Sequence, residues 1–199
     1  MAVDLPYDWD DYRSDFRPSL AYVAQEQALA AQVGSALLAS GALASGESGP
    51  ASSTDEDQGA AIRGSSAPIR VLEVGPGFGR ITSLVLAVAA DLDLAPARLS
   101  YSALDVSQAA LDVSQATAGI RFDRTWVSPL QSHQSPWSGN PAAKGFDLVL
   151  AIEVLLHIPP TESEVQQAIS NLLSAVKPTG TLITCDWTEP LPLRPDGSP

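Results

Sequence analysis

A chain of 199 residues is long enough for one domain with a sizeable core. Its formal charge of -12, with lysine only at Lys144 and Lys177, repels phosphate backbones and argues against nucleic acid as a partner; Arg121 and Arg124 are the nearest thing to a basic patch. The single cysteine, Cys185, excludes an intramolecular disulfide, the acidic stretch Met1–Asp11 lacks the apolar region of a secretory signal, and the longest apolar run, Leu84–Ala90, is too short for a bilayer, so a soluble cytoplasmic protein is expected and no membrane association.

Residues 1–17 are rich in aromatic and acidic side chains, with Tyr7, Trp9, Tyr12 and Phe16. Pro18 suits a first helical turn. Leu20, Val23, Ala24, Ala28, Ala31 and Leu38 then predict an alanine-rich amphipathic helix to about residue 39, making 1–39 an N-terminal helical segment. Eighteen of the 29 residues 40–68 are Gly, Ser or Ala and none is aromatic, so this stretch cannot bury enough apolar surface to order itself and is expected to be a flexible loop.

From residue 69 strand and helix signals alternate. Ile69, Val71, Leu72 and Val74 form the apolar run of a parallel strand buried on both faces. Ile81, Leu84, Val85 and Val88 mark one face of a helix. Between them lies Glu73-Val74-Gly75-Pro76-Gly77-Phe78-Gly79-Arg80. Its glycines allow a sharp turn and close ligand approach, and the helix start leaves free N–H groups facing that ligand. A dinucleotide turn wants G-x-G-x-x-G, but the position of its third glycine is Arg80, and Glu73 is a poor neighbour for a pyrophosphate. A carboxylate there suits a cofactor carrying an amino group. The plain alternative is a tight strand–helix turn without a ligand.

Leu99–Leu104 predicts the second strand, with Ser107 as N-cap of the next helix. Asp105 ends that strand, 26 residues beyond Gly79, where an acid in a Rossmann-like site hydrogen-bonds a ribose diol; it could otherwise cap the following helix. Asp105-Val-Ser-Gln-Ala recurs at Asp112, too briefly to indicate a repeat architecture. Ile120–Val127 reads as a weak third strand, 128–145 as loop, and Phe146–Ile152 as a clear fourth strand. After Pro159-Pro160, Thr161 and Glu164 form a capping box for a helix bearing Val165, Ala168, Ile169, Leu172, Leu173 and Val176. Pro178-Thr179-Gly180 stops it, Thr181–Cys185 is a fifth strand, and 188–199 reads as an irregular tail.

The glycine turn resembles the first motif of class I S-adenosylmethionine-dependent methyltransferases, E/D-x-G-x-G-x-G. Phe146–Val149 with Glu153-Val154-Leu155-Leu156-His157-Ile158-Pro159 resembles their fourth motif, E-V-L-x-H-I-P. The resemblance covers residues 69–187. It implies a three-layer α/β sandwich around a mostly parallel, five-stranded Rossmann-like sheet in order 3-2-1-4-5, with the usual final helix and antiparallel strand pair missing. It also implies S-adenosylmethionine as cofactor and a small-molecule methyl acceptor. Glu73 would engage the methionine amino group, Gly75, Pro76, Gly77 and Gly79 would lie along the methionine portion, and Asp105 with Val106 would hold the ribose. Glu153, in the fourth motif, would also line the cofactor. Family members often place an acid after strand three near adenine; here Thr125-Trp126-Val127-Ser128 stands there, and Trp126 either stacks on adenine or fills the core.

His157 either acts as general base toward the acceptor or orients its loop. No metal site is expected: Glu153, His157 and the distant His133 supply too few ligands, and Leu156 occupies the second Glu position of the metal-using branch that modifies small RNA ends. Two rival readings remain: a non-catalytic methyltransferase-like module whose open sheet edge forms a homodimer or holds a partner subunit, and a nicotinamide oxidoreductase, which the glycine spacing disfavours.

Overall fold

The apolar runs at Ile69–Val74 (β1), Leu99–Asp105 (β2), Arg124–Val127 (β3), Phe146–Ile152 (β4) and Val176–Cys185 (β5) assemble into one all-parallel sheet in the order β3-β2-β1-β4-β5. A computed structural model of the chain describes residues 20–45, 67–137 and 145–186; the tail expected over 188–199 and most of the 40–68 segment lie outside them. Among the described residues four helices surround the sheet: α1 (Leu20–Ser45), α2 (Arg80–Asp91), α3 (Gln108–Ala118) and α4 (Glu162–Ala175). This is a Rossmann-like α/β fold, with helices on both faces.

Alternation along the central strands divides the core. Ile69 and Val71 of β1 face α1, α2 and α3, where Leu29, Val33, Leu37, Val85, Tyr101, Leu111 and Phe122 are buried. Leu72 and Val74 face α4 and the loop after β3, against Trp137, Val149, Ala168 and Leu172. Adjacent residues of a strand point to opposite faces, so a strand covered on both sides must be apolar almost throughout.

The helix starts follow local chemistry. Ser107 Oγ accepts from the Ala110 N–H, capping α3, and Gly119 closes that helix at φ 67°. Thr161 accepts from the Glu164 N–H, and its hydroxyl donates to the Glu164 carboxylate at 2.6 Å, tying the first turn of α4. Asp105 ends β2 whereas Asp112 lies inside α3, so the five-residue recurrence has no structural counterpart.

Three local expectations are corrected. The buried stripe of α1 is Leu29, Val33, Ala36 and Leu37, and the helix runs to Ser45; Ala24, Ala28, Ala31 and Leu38 are exposed, because alanine fits any helix face and the larger side chains decide which side is buried. On α4, Ile169 and Leu173 are exposed while Asn171 is buried, donating to the carbonyls of Leu130 and Ser132 and so pinning the loop after β3. β5 begins at Val176 rather than Thr181, with a register shift opposite Asp147 where Gly180 lies against the Phe146 and Asp147 carbonyls. No described helix is long and apolar enough to cross a membrane.

Candidate cofactor site

In a parallel sheet whose strand order reverses beside β1, the carboxyl ends of β1, β2 and β4 open onto one crevice. The turn after β1 lies there. Gly75, Gly77 and Gly79 have φ of 67°, 51° and 82°, a region costly to residues with a Cβ. The three play different parts. A Cβ on Gly75 would meet Val154 Cγ2 at 2.8 Å, and one on Gly79 would meet the Ser114 carbonyl oxygen at 2.8 Å. Around a Cβ on Gly77 nothing lies within 4 Å. Gly79 therefore lets α2 approach α3, while Gly77 fronts open space. Pro76 is buried, and its carbonyl accepts from the Gly79 N–H to close the turn.

Glu73 lies beneath this turn rather than in it. It is 2% exposed. Its Oε2 accepts hydrogen bonds from Tyr101 of β2 at 2.6 Å and Thr82 of α2 at 2.7 Å, and Ser114 of α3 lies 3.0 Å from the Thr82 hydroxyl. Oε1 is buried without a partner among the described residues. Burial pushes the carboxyl up to about 7, against the pull of Tyr101, Thr82 and the Arg80 charge. The same burial, with Glu73 beside it, raises Tyr101 well above its usual range.

Asp105 stands at the end of β2, its Oδ1 accepting from the Ser107 N–H at 2.9 Å. Burial raises its carboxyl, and the N–H groups of Ser107, Gly77 and Val106 act in the opposite sense. It is thus both the loop-capping residue and a carboxylate in contact with the glycine turn. Val106 beside it is 52% exposed, and Val127, at the end of β3, is 53% exposed. Trp126 points the other way: its ring meets Trp137 and Phe146 edge-on at 6.2 and 6.4 Å and packs in the α4-side core. Val127, which the sequence did not single out, is the exposed apolar side chain at the carboxyl end of β3.

The chain leaves β4 through Glu153 at φ 59°, a left-handed conformation rare outside glycine. Its N–H donates to the Cys185 carbonyl at 2.6 Å, and its Oε1 accepts from Arg80 at 3.2 Å. A short 3-10 turn, Leu155–His157, follows. His157 lies at the surface, yet desolvation lowers its imidazole, while Asp186 and Glu153 pull it upward. Asp186, one residue beyond β5, accepts from the Leu156 N–H at 3.3 Å. Burial raises its carboxyl, opposed by the N–H groups of residues 154–156 and by His157. Asp186 carries no local signal in the sequence, since its relation to His157 depends on the pairing of β4 with β5. Among the described residues no three His, Cys, Asp or Glu side chains gather as a metal site.

Residues 72–182 match a family described as a methyltransferase domain. No curated protein sequence matches the chain. Similar solved structures include the CurJ carbon methyltransferase, 24% identical with a TM-score of 0.48, covering 60% of this chain and 29% of that one. The N-methyltransferase NodS from Bradyrhizobium japonicum is 22% identical with a TM-score of 0.43, covering 60% of this chain and 58% of that one. The trans-methyltransferase CalH, in complex with SAH, is 22% identical with a TM-score of 0.48, covering 60% and 32%. The chain thus spans less than two thirds of the length of each. The family match takes in the end of β1, the glycine turn, Asp105, Glu153, His157 and the start of β5, and on that match the chain belongs to the methyltransferase-domain family.

Proposed function

We propose that the chain binds S-adenosylmethionine in the crevice at the carboxyl ends of β1, β2 and β4 and transfers its methyl group to a small-molecule acceptor. The observation that carries this reading is the glycine turn: Gly77 fronts open space, with the Glu73 carboxyl below it and Asp105 beside it. The residues fit the cofactor. A backbone without Cβ lets a ligand lie flat against the turn, the unpartnered Glu73 Oε1 leaves one acceptor under it, and exposed Val106 and Val127 offer apolar surface to a purine.

S-adenosylmethionine, when bound, supplies an electrophilic methyl group on a sulfonium. The chain's own contribution is positioning, because in-line methyl transfer gains most from fixed geometry. Gly75 to Gly79 would carry the methionine portion along their backbone, and Glu73 would support the turn from beneath. Asp105 would accept from the ribose hydroxyls through the lone pairs left by Ser107. His157, its imidazole lowered by desolvation, would take a proton from the acceptor, with Asp186 holding its turn.

Calorimetric titration with S-adenosylmethionine and S-adenosylhomocysteine beside NAD tests the reading. Binding of the first pair alone supports it; binding of NAD alone, or of none by a folded protein, overturns it. A partner-binding module is favoured by one observation: β5 is an edge strand, and among the described residues nothing pairs with its outer side. Sedimentation analysis reads that property directly.

A further inference from the structure

β5 is the last strand of the sheet, and its outer edge has no partner among the described residues. The devices that keep an edge strand from pairing are gathered at its start. Lys177, Pro178 and the register shift opposite Asp147 all lie within Val176–Gly180. From Thr181 to Cys185 the strand has no charge, no proline and no irregularity in its pairing with β4. Both flanks continue this edge. On one face α1 leaves a groove of about 470 Å³ against β5, lined by Ala31, Ser35, Ala36, Ala39, Thr181 and Ile183. Leu38 of the same helix is 57% exposed. On the other face, Asn171 and Ser174 of α4 hold the loop after β3 through Leu130, Ser132 and Trp137. At about 100° per residue, Ile169 and Leu173 fall on the opposite flank of α4, toward the open edge, and both are exposed.

This surface is also without free charge. No Asp, Glu, Lys or Arg occurs from Gln27 to Gly41 or from Val165 to Val176, in a chain of formal charge -12. Lys177, the one charged residue of β5, is held by Asp147 at 2.7 Å. We propose that β5 pairs with β5 of a second copy of this chain, antiparallel about a two-fold axis, so that two sheets become one. The proposal deepens the partner reading of the β5 edge and stands apart from the cofactor reading. Charge and symmetry select a second copy. Two chains of charge -12 repel over most of their surface, and on this face they meet without opposing like charges. A partner recognised by its own charge finds nothing here to read. An antiparallel edge is self-complementary about a two-fold axis, since each residue that meets another is met by it in turn. With the axis at Ile183, the middle of the open segment, Thr181 lies opposite Cys185 of the second copy and Leu182 opposite its Thr184. The α1 helices then stand side by side on one face and the α4 helices on the other. The small side chains of the groove leave the α1 helices room to approach, and Leu38, Ile169 and Leu173 lose exposed apolar surface.

Sedimentation equilibrium of the full chain, from about 1 to 100 μM, tests the proposal. The expected mass rises from 20.8 kDa to twice that value. Raising the salt from about 0.05 to 0.5 M should tighten the dimer, because screening removes repulsion and no ion pair crosses the joint. Thr184→Lys places ammonium groups along the joined edge, and Leu173→Glu adds an acid to each flank. Each should weaken the dimer by about tenfold or more. Both positions are exposed, so the fold should persist, which circular dichroism checks, and they lie on different elements, so either variant decides alone. A monomer throughout the range, assembly beyond the dimer, a dimer weakened by salt, or a dimer that both folded variants leave intact overturns the proposal. Titration of the same samples with S-adenosylhomocysteine reports on the cofactor reading alone.

Discussion

The Tyr101 hydroxyl donates a 2.6 Å hydrogen bond to Glu73 Oε2, pairing two buried ionisable groups between β1 and β2 beneath the glycine turn. Val71 is the register partner of Tyr101, so Glu73 lies one step diagonally along the same face of the sheet. Thr82 adds α2 to this pair and Ser114 adds α3, so one carboxyl gathers two strands and two helices. A buried polar network of this kind stabilises only while its members are satisfied, and Glu73 Oε1 is not.

That imbalance gives a pH dependence. The Glu73 carboxyl titrates near 7 when folded and near 4.5 when unfolded, so between those values the native state holds a proton that the unfolded chain has lost. Stability therefore falls as pH rises from about 4.5 to about 7 and is level above, with a total loss on the order of 3 kcal/mol from this group. Asp105 and Asp186, also raised, add to the slope in the same direction. Glu73→Gln removes the ionisation and leaves a carbonyl to accept from Tyr101 or Thr82. Urea unfolding at pH 5 and pH 8 should show a smaller loss of stability across that range for the variant than for wild type. An unchanged difference would mean that Glu73 is ionised in the native state at both pH values.

Gly77 and Gly79 should part company on substitution by alanine. Both have positive φ, which costs an L-residue about 1–2 kcal/mol. At Gly79 the new Cβ also meets the Ser114 backbone, which cannot move without α3, and the total loss should reach about 3 kcal/mol or more. At Gly77 the Cβ enters open space, so stability should fall by only the backbone amount while affinity for S-adenosylhomocysteine drops by tenfold or more. Thermal unfolding and calorimetric titration of the two variants read the two effects separately. Undiminished binding by a folded Gly77→Ala protein would show that no ligand lies against the turn.

Much of this is legible locally. The alternation of apolar strands and helices, the Thr161 capping box, the Ser107 cap and the three glycines are short-range codes written in adjacent residues, and they appear where the sequence puts them. What is not legible depends on partners far along the chain. The pairing of Arg80 with Glu26 and Glu153 joins three elements, and no spacing rule announces it. Asp186 gains meaning only because the pairing of β4 with β5 carries it to the turn before His157. The buried face of α1 is hard to read in sequence because alanine marks a helix strongly and its buried side weakly.

Trp126 tests the distinction between core and ligand surface. Its ring packs edge-on against Trp137 and Phe146, so Trp126→Leu should cost about 2 kcal/mol of stability and leave affinity for S-adenosylhomocysteine within about threefold. Val127→Asp should do the reverse. The side chain is half exposed, so its replacement should change stability by under about 1 kcal/mol, while an acid facing a purine should weaken binding about tenfold. Affinity that falls with Trp126→Leu and survives Val127→Asp would return the stacking role to Trp126.

The relation between His157 and Asp186 can be read without knowing the acceptor. Burial lowers the imidazole and Asp186 opposes it, so removing the Asp186 charge should move His157 further down. Asp186→Asn keeps an oxygen for the Leu156 N–H and removes only the charge, so the turn should persist. The chain has two histidines, and a His133→Gln background leaves one imidazole signal to follow by NMR. The expected outcome is a His157 midpoint at lower pH in Asp186→Asn than in wild type, with no change in fold by circular dichroism. Once an acceptor is in hand, the acid limb of kcat/KM should shift to lower pH in the same variant, because a general base works in its neutral form. His157→Gln should lower kcat by about a hundredfold or more while cofactor affinity holds. A midpoint that does not move in Asp186→Asn would separate the two residues and leave Asp186 as a cap on the backbone alone.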